Sequence, residues 1–545
     1  MKYLLSGMVL LAMLSSCTQK TAVDLIVSNA NIYTIDSAFT MAEAMAIKDG
    51  KIVASGSSAD IAKKYAASQA IDAGGKFIYP GFIDAHAHFL GYGLGLQTVN
   101  LVGTESWEAI LQVLSNAAKN MDSSSWLIGS GWDQNDWQVK EFPSKEKLDA
   151  LYPNRPVFLT RVDGHAAIAN QKALNLAGVQ AGKKLAGGEV ETNNGKLTGI
   201  LIDNAQDLVS AKIPAADAAT ATKAILAAQR NCFAVGLTTV DDCGLDYEAI
   251  LLIDSLQQSG VLKMRIYAML SDSKKNFDFI AGKGKIKTPF LNVRSFKVYA
   301  DGALGSRGAC LLQPYTDKPT WTGFLLSPVS HFDSVAALIH AMGFQMCTHA
   351  IGDSGNRLIL HTYAKYLKGK NDLRWRIEHA QIVNEQDFRL FGENNIIPSV
   401  QPTHATSDMY WAADRLGPAR MKGAYAYKNL LQQNGWLPLG TDFPVEDISP
   451  LKTFYAAVIR KDAKGYPATG YLPENALSRQ DALKGMTIWA ARANFEDNEK
   501  GSIEKGKLAD FIMLDQDLLT AAPEKILQTQ VISTFINGKN VFTRQ

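Results

Sequence analysis

Phe77-Ile-Tyr-Pro-Gly-Phe-Ile-Asp-Ala-His-Ala-His88 is the stretch on which the reading of this chain turns. Its apolar residues, Phe77 to Tyr79 and Phe82-Ile83, read as a buried strand. Alternate residues of a strand point the same way, so His86 and His88 project from one face. At a strand end that face can hold a metal ion through two imidazole nitrogens. A His-x-His pair also arises by chance among surface or packing histidines. What stands beside it elsewhere in the chain therefore decides its meaning.

Further apolar runs of strand length follow at 236–241, 264–270, 296–301, 344–349, 375–379, 396–401 and 437–442. Helix-periodic segments such as 218–234, 333–342 and 355–367 separate them. This alternation argues for parallel strands with crossover helices, and eight such units close a (β/α)8 TIM-like barrel of α/β class. The barrel is expected over residues 77–499. Residues 95–217 do not fit a single crossover. Strand-like runs at 126–129 and 156–160, and turn signals at Gly187-Gly188 and Asn193-Asn194-Gly195, make this a partly β insertion after the first barrel strand. Such an insertion can wall the mouth of a barrel. Asp49-Gly50 and Asn537-Gly538 each lie between two apolar runs and signal hairpins. Termini often lie together in a domain, so residues 22–76 and 500–545 are expected to form one small β-sandwich domain.

The chain has 545 residues, 47 % hydrophobic and 20 % charged, with a formal net charge of +2. No long basic run argues for nucleic acid. Residues 1–16 read as a signal peptide: Met1-Lys2, then an apolar run from Leu4 to Leu14 too short to span a bilayer. Leu14-Ser-Ser-Cys17 resembles the lipobox of bacterial lipoproteins. That resemblance implies cleavage before Cys17 and a lipid anchor on it, facing the periplasm or the cell exterior. Cys232, Cys243, Cys310 and Cys347 are scattered and are expected to be mostly buried free thiols.

The polar residues at the strand ends line up. The first strand ends in His86 and His88, the fourth carries Lys297, the fifth and sixth end in His349 and His379, and the eighth in Asp442. Active sites of this fold lie at the C-terminal ends of the strands, so these residues can surround one cavity.

With these motifs the chain resembles the amidohydrolase superfamily, in the amidohydrolase-3 branch that includes N-substituted formamide deformylase. The residues that carry the resemblance are Pro80-Gly-Phe-Ile-Asp-Ala-His-Ala-His88, Lys297-Val-Tyr-Ala-Asp-Gly-Ala-Leu-Gly-Ser-Arg-Gly308, Thr348-His-Ala-Ile-Gly-Asp353, Ile377-Glu-His-Ala-Gln381, Gly440-Thr-Asp442 and Gly501-Ser-Ile-Glu-Lys-Gly-Lys-Leu-Ala-Asp510. The resemblance implies that His86, His88 and Asp442 bind one divalent ion and that His349 and His379 bind a second. It also implies that Lys297 is carbamylated and bridges them. Zinc is the expected ion, although these ligand types also suit manganese, iron and cobalt. Metal-activated hydroxide would attack a carbonyl, and Asp442 would accept the proton and return it to the leaving nitrogen.

Three residues are candidates for substrate binding: His165 in Asp163-Gly-His165, Arg307, and His404 after the seventh strand. Trp132 and Trp137 are candidates for an aromatic wall. The expected function is hydrolysis of a small-molecule amide, an N-acyl or N-formyl amine or an N-acyl amino acid. The alternatives are a deaminase of the same fold and a non-catalytic ligand-binding lipoprotein. A homodimer is a candidate assembly.

Overall fold

The computed structural model describes residues 19–545. The leader and Cys17 lie outside the described residues. The opening run is two strands rather than one. Phe77–Pro80 pairs antiparallel with Phe511–Leu514 near the other end of the chain, whereas Phe82–Ala87 enters the barrel and is buried throughout. The Gly81 N–H that follows still donates to the Asp510 carbonyl at 3.0 Å before the chain turns into the barrel.

Seven strands lie side by side and parallel: Phe82–Ala87, Leu237–Leu245, Arg265–Ser271, Leu291–Tyr299, Gln345–Ala350, Arg376–His379 and Ile397–Ser399. The short strand Ile286–Lys287 pairs antiparallel with Leu291–Tyr299. Residues 437–442 fill the gap without forming a regular strand. The Gly440 N–H donates to the Val400 carbonyl at 3.0 Å, Ala85 to Leu439 at 3.2 Å, and Asp442 to His86 at 2.8 Å. Gly440 permits this close approach, since a Cβ there would lie 2.6 Å from the His86 nitrogen. The result is a nearly closed parallel TIM-like barrel. Its helices include Ala218–Ala234, Val329–Ala341 and Asp353–Leu367.

Strands from near the two chain ends share a sheet. One sheet runs Lys51–Gly56, Ala44–Lys48, Thr21–Ser28, Tyr65–Asp72. The other includes Lys539–Thr543, Val531–Ile536, Phe511–Leu514 and Phe77–Pro80. Val27, Ile47, Ile78, Phe511 and Phe535 belong to one apolar cluster shared by both sheets. The two hairpins form at Asp49-Gly50 and Asn537-Gly538, where all four residues have positive φ, the geometry of a type I′ turn.

The insertion combines strands with short helices, Trp107–Ala118 and Gln171–Ala177 among them. It builds a six-stranded sheet from Val99–Asn100 to Lys196–Asp203. Trp132 and Trp137 are buried in its apolar core, with their indole N–H groups donating to Leu159 and Thr104 carbonyls at 2.9 Å. They are core residues and not an aromatic wall of the site. Cys232, Cys243 and Cys347 are buried free thiols, and Cys310 is half-buried and also free. No helix among the described residues is long and apolar enough to cross a membrane.

One buried ion pair joins the barrel to the terminal sheets. Arg265, on the third barrel strand, donates from Nε and Nη2 to the two Asp510 oxygens at 2.6 and 2.9 Å, and from Nη2 to Asn537 Oδ1 at 2.6 Å. Removing one partner leaves a buried carboxylate without its cation. Arg265→Ala is expected to lower unfolding stability by roughly 3–5 kcal/mol. Urea denaturation followed by tryptophan fluorescence measures it, and an unchanged midpoint would show the pair to be dispensable.

Candidate metal centre

The C-terminal ends of the barrel strands bring the expected ligands together. Ring centroids of His86 and His379 are 4.7 Å apart, and those of His379 and His349 are 4.6 Å apart. Asp442 Oδ1 lies 3.5 Å from His86 Nε2 and 3.3 Å from His88 Nε2. Lys297 Nζ is 3.1 Å from His86 Nε2. His379 and Asp442 both have positive φ, at 72° and 65°. Non-glycine residues adopt that region at a cost, and such strain clusters at functional sites.

Hydrogen bonds around the rim fix which ring nitrogens can act as ligands. His88 Nδ1 is 3.1 Å from the Cys243 carbonyl, which can only accept, so the neutral ring carries its proton there. His86 Nδ1 donates to buried Glu378 at 2.6 Å. Both Nε2 lone pairs therefore face the same Asp442 oxygen. That Asp442 Oδ1 has no hydrogen-bond partner, and neither does buried His349 Nε2. Acceptors that converge in a buried site repel one another unless a cation lies among them. The donor set, imidazole and carboxylate, is the one that binds divalent first-row metals. The residues present thus fit a metal centre.

Electrostatics point the same way. Burial, aided by Lys297, lowers the His86 pKa to about 4, and burial with neighbouring cations holds His349 and His379 well below the usual histidine range. All three are neutral and able to ligate near pH 7. Burial alone would raise the Asp442 pKa, but the surrounding histidines outweigh it, with His404 donating to Oδ2, and hold the carboxyl well below the usual carboxylate range. Burial likewise works against the Lys297 cation, but Tyr299 and the nearby acids outweigh it. As a free ammonium, Lys297 offers no lone pair.

The sequence matches the amidohydrolase family over residues 69–542. The chain belongs to that family. Over 538 residues it is 33 % identical to Protein LONG AFTER FAR-RED 3 of Arabidopsis thaliana, an alignment covering 95 % of this chain and 91 % of that protein. It is 25 % identical to N-substituted formamide deformylase of Arthrobacter pascens, covering 94 % and 97 %. The crystal structure of an uncharacterized metal-dependent hydrolase from Pyrococcus horikoshii matches with a TM-score of 0.75 at 26 % identity, covering 92 % of this chain and 99 % of that one.

In this amidohydrolase the ligand groups differ in one respect from the expected pairing. Metal-compatible atoms cluster as His86, His88 and Asp442, and as His379, His404 and Asp442. His404 thus lies within reach of His379 and Asp442, alongside the expected His349. It lies between two carboxylates, with Nε2 3.2 Å from Asp442 Oδ2 and Nδ1 3.0 Å from Glu446 Oε1. Burial disfavours its charge, but these two acids outweigh burial and raise its pKa well above the ordinary value. A ring held protonated between two acids acts as a donor that orients Asp442. His349 remains in the cluster, 3.7 Å from Asp301 Oδ1.

The other candidates separate. His165 reaches the centre, its ring 4.9 Å from that of His349. Arg307 does not offer a free guanidinium, because Asp317 accepts from its Nε and Nη2 at 3.3 and 2.8 Å. Asp317 also pairs with Arg415, so one carboxylate is shared by two guanidinium groups and holds Arg307 within its own loop. The sequence reading gave no role to Glu378. Arg376 grips its carboxylate, Nε to Oε1 at 2.7 Å, and Arg376 in turn donates to Asp241 at 2.8 Å. Glu378 sits beside His379 in Ile377-Glu-His379, and that adjacency was the available signal. His379 Nδ1 similarly meets Gln401 Oε1 at 2.8 Å. Such partners fix ring orientation at metal sites.

Proposed function

We propose that this amidohydrolase cleaves a non-peptide amide, an N-formyl or N-acyl amine or an N-acyl amino acid. Family membership makes it a hydrolase of carbon–nitrogen bonds. The observation that carries the finer reading is the convergence of His86, His88, His379 and His349 around an ionised Asp442 at the barrel mouth. Full-length similarity to N-substituted formamide deformylase supports the acyl side of the choice over a deaminase.

The centre would hold one or two divalent ions, zinc being the expected one, through His86, His88, His379, His349 and Asp442, with a carbamylated Lys297 between them. Bound there, the ion supplies acidity to water and polarises a carbonyl. The chain's own residues do the rest. Glu378 and Cys243 hold the protons of His86 and His88 on Nδ1, keeping each Nε2 turned toward Asp442. Asp442 takes a proton from the attacking water and returns it to the departing nitrogen. His404, tied to Glu446, fixes the second oxygen of Asp442.

Removing metal with a chelator is expected to abolish hydrolysis, and zinc should restore it. The measurement is turnover of a panel of N-formyl amines, N-acyl amino acids and ring amidines, with ammonia and free amine read separately. Ammonia from an amidine, with no acyl substrate turned over, would favour the deaminase reading.

The leader adds a proposal on location. Cys17 is read as the site of lipid attachment, which rests on Leu14-Ser-Ser-Cys17 alone. Cys17→Ser is expected to move the protein out of the membrane fraction or leave the leader uncleaved. Processing and membrane retention like the parent would end that reading.

A further inference from the structure

We propose that the end of the terminal sheets that carries Lys20, Lys48, Lys51, Lys63, Lys64 and Lys539 rests on a bilayer surface containing anionic phospholipid, with the barrel mouth turned away from it. The proposal rests on the reading of Cys17 as the site of lipid attachment. Only Thr18, Gln19 and Lys20 separate Cys17 from the first strand, Thr21–Ser28. At roughly 3.5 Å per extended residue, Thr21 lies at most about 14 Å along the chain from the anchored residue. That reach is comparable to the distance over which the field of an anionic leaflet decays, a Debye length of about 8 Å at physiological salt. A folded unit tethered so closely presents one face to the membrane, and the tether selects the end where Thr21 begins.

The strand ladders gather the lysines at that end. Thr21 pairs with Tyr65, the residue that follows Lys63 and Lys64 at the end of helix Ser58–Lys64. Leu25 pairs with Ile47, so the Asp49-Gly50 turn closes beside the same half of the first strand, where Asp24 Oδ2 accepts the Asp49 N–H at 2.6 Å. Lys48 and Lys51 stand opposite each other across this turn. Their neighbours Ile47 and Ile52 point into the core between the two sheets, so the two lysines emerge on the other face. On that face Ala46 shares an apolar cluster with Ile61 of the helix. The Asn537-Gly538 turn of the second sheet touches the first turn, since a Cβ on Gly50 would lie 2.9 Å from Asn537 Cβ. Lys539 follows it and lines one cleft with Lys51, Asp24 and Gln69.

The charge at this end is unbalanced. All six lysines are exposed, and none is in an ion pair among the described residues. The carboxylates beside them are Asp24, Asp49 and Asp60; Glu499, on the same cleft, is already held by Lys287 at 2.9 Å. Six cations against three carboxylates leave a local positive surplus larger than the formal net charge of +2 carried by the whole chain. Like charges gathered in this way repel one another and do nothing for the fold. Toward an anionic surface each lysine contributes roughly fivefold in affinity. The orientation also suits the chemistry. Arg265 opens the barrel strand Arg265–Ser271 and donates to Asn537 at 2.6 Å, so the lysine end lies at the N-terminal ends of the barrel strands. His86, His349 and His379 stand at the C-terminal ends. The metal centre therefore opens away from the lipid, toward soluble substrates.

The test uses the chain from residue 18 onward, which contains every described element and lacks Cys17, so that binding reads the face without an anchor. Sedimentation with vesicles of phosphatidylcholine, alone or mixed with phosphatidylglycerol, measures affinity. The mixed vesicles are expected to bind at least about tenfold more tightly, a preference that high salt removes. Lys48→Gln, Lys51→Gln, Lys63→Gln and Lys64→Gln made together should lower affinity for the mixed vesicles at least about tenfold, with a parent-like urea midpoint. Lys119→Gln, Lys183→Gln, Lys184→Gln and Lys196→Gln, which remove four exposed lysines of the insertion, should leave it unchanged. Equal binding of the parent to both kinds of vesicle would overturn the proposal, and so would an equal loss in the two sets of variants. The anchor is judged separately, by Cys17→Ser in cells. No lipid on Cys17 with the vesicle preference intact would sink the anchor and leave the lysine face as a membrane-binding surface. A lipid on Cys17 without the vesicle preference would sink the face and leave the anchor.

Discussion

Asp442→Asn is expected to fold, to retain at least one metal ion, and to lose hydrolysis by roughly 10²–10⁴-fold, the range for removing a general acid–base. Asn matches Asp in size and can still approach the centre through its carbonyl oxygen, but it cannot take up a proton. The loss should fall on kcat more than on KM, because proton transfer belongs to the transition state. The position explains why one residue can serve twice. Oδ1 faces His86 and His88 at 3.5 and 3.3 Å, while Oδ2 accepts from His404 at 3.2 Å. One oxygen is thus oriented from outside while the other stays without a hydrogen bond. The surrounding histidines outweigh burial and hold the carboxyl well below the usual carboxylate range, so it is ionised at neutral pH when the attacking water approaches. Steady-state kinetics with metal analysis on the same samples decides the matter. Near-parental kcat in Asp442→Asn would move the base to His404 or His165.

The barrel and the residues that converge at its mouth were legible because they rest on local signals. Apolar runs of strand length separated by helical periodicity locate the strands, and the residue ending each run becomes a residue at the mouth. Asp-Gly and Asn-Gly locate the hairpins for an equally local reason, a backbone that needs positive φ. Features that depend on long-range pairing were not legible. The run from Phe77 to Ala87 reads as one strand, yet its first half belongs to a sheet completed by Phe511–Leu514. Trp132 and Trp137 look like site residues until the insertion is seen to have its own core. Arg307 looks free until Asp317, ten residues on, is found paired with it and with Arg415. Glu378 and Asp203 show the same limit within the site. Each takes its meaning from a histidine distant in sequence, His86 or His165, and nothing in its own neighbourhood reveals that contact.

Lys297→Ala is expected to abolish hydrolysis and to lower the number of metal ions held per chain. The strand register places the residue for this role. Tyr299 lies opposite His349 on the next strand, and Lys297 is two residues earlier on the same face. Its Nζ is buried, 3.1 Å from His86 Nε2 and 4.8 Å from the centre of the Tyr299 ring. An ammonium there could be either a plain cation that balances Glu378 and Asp442 or the precursor of a carbamate. Carbamylation requires the ammonium to give up one proton; the neutral amine then bonds to the carbon of CO2 and releases a second, so that a positive group becomes a carboxylate. Two further variants separate these roles. Lys297→Arg preserves the positive charge but forms no stable carbamate, so it should be as inactive as Lys297→Ala. In the alanine variant, added formate or acetate can occupy the place of the missing carboxylate, and partial return of both metal and activity is expected. If Lys297→Arg kept activity and metal content, charge balance would be the whole role of this lysine. Full activity in Lys297→Ala would remove it from the centre altogether, leaving the ions to the histidines and Asp442.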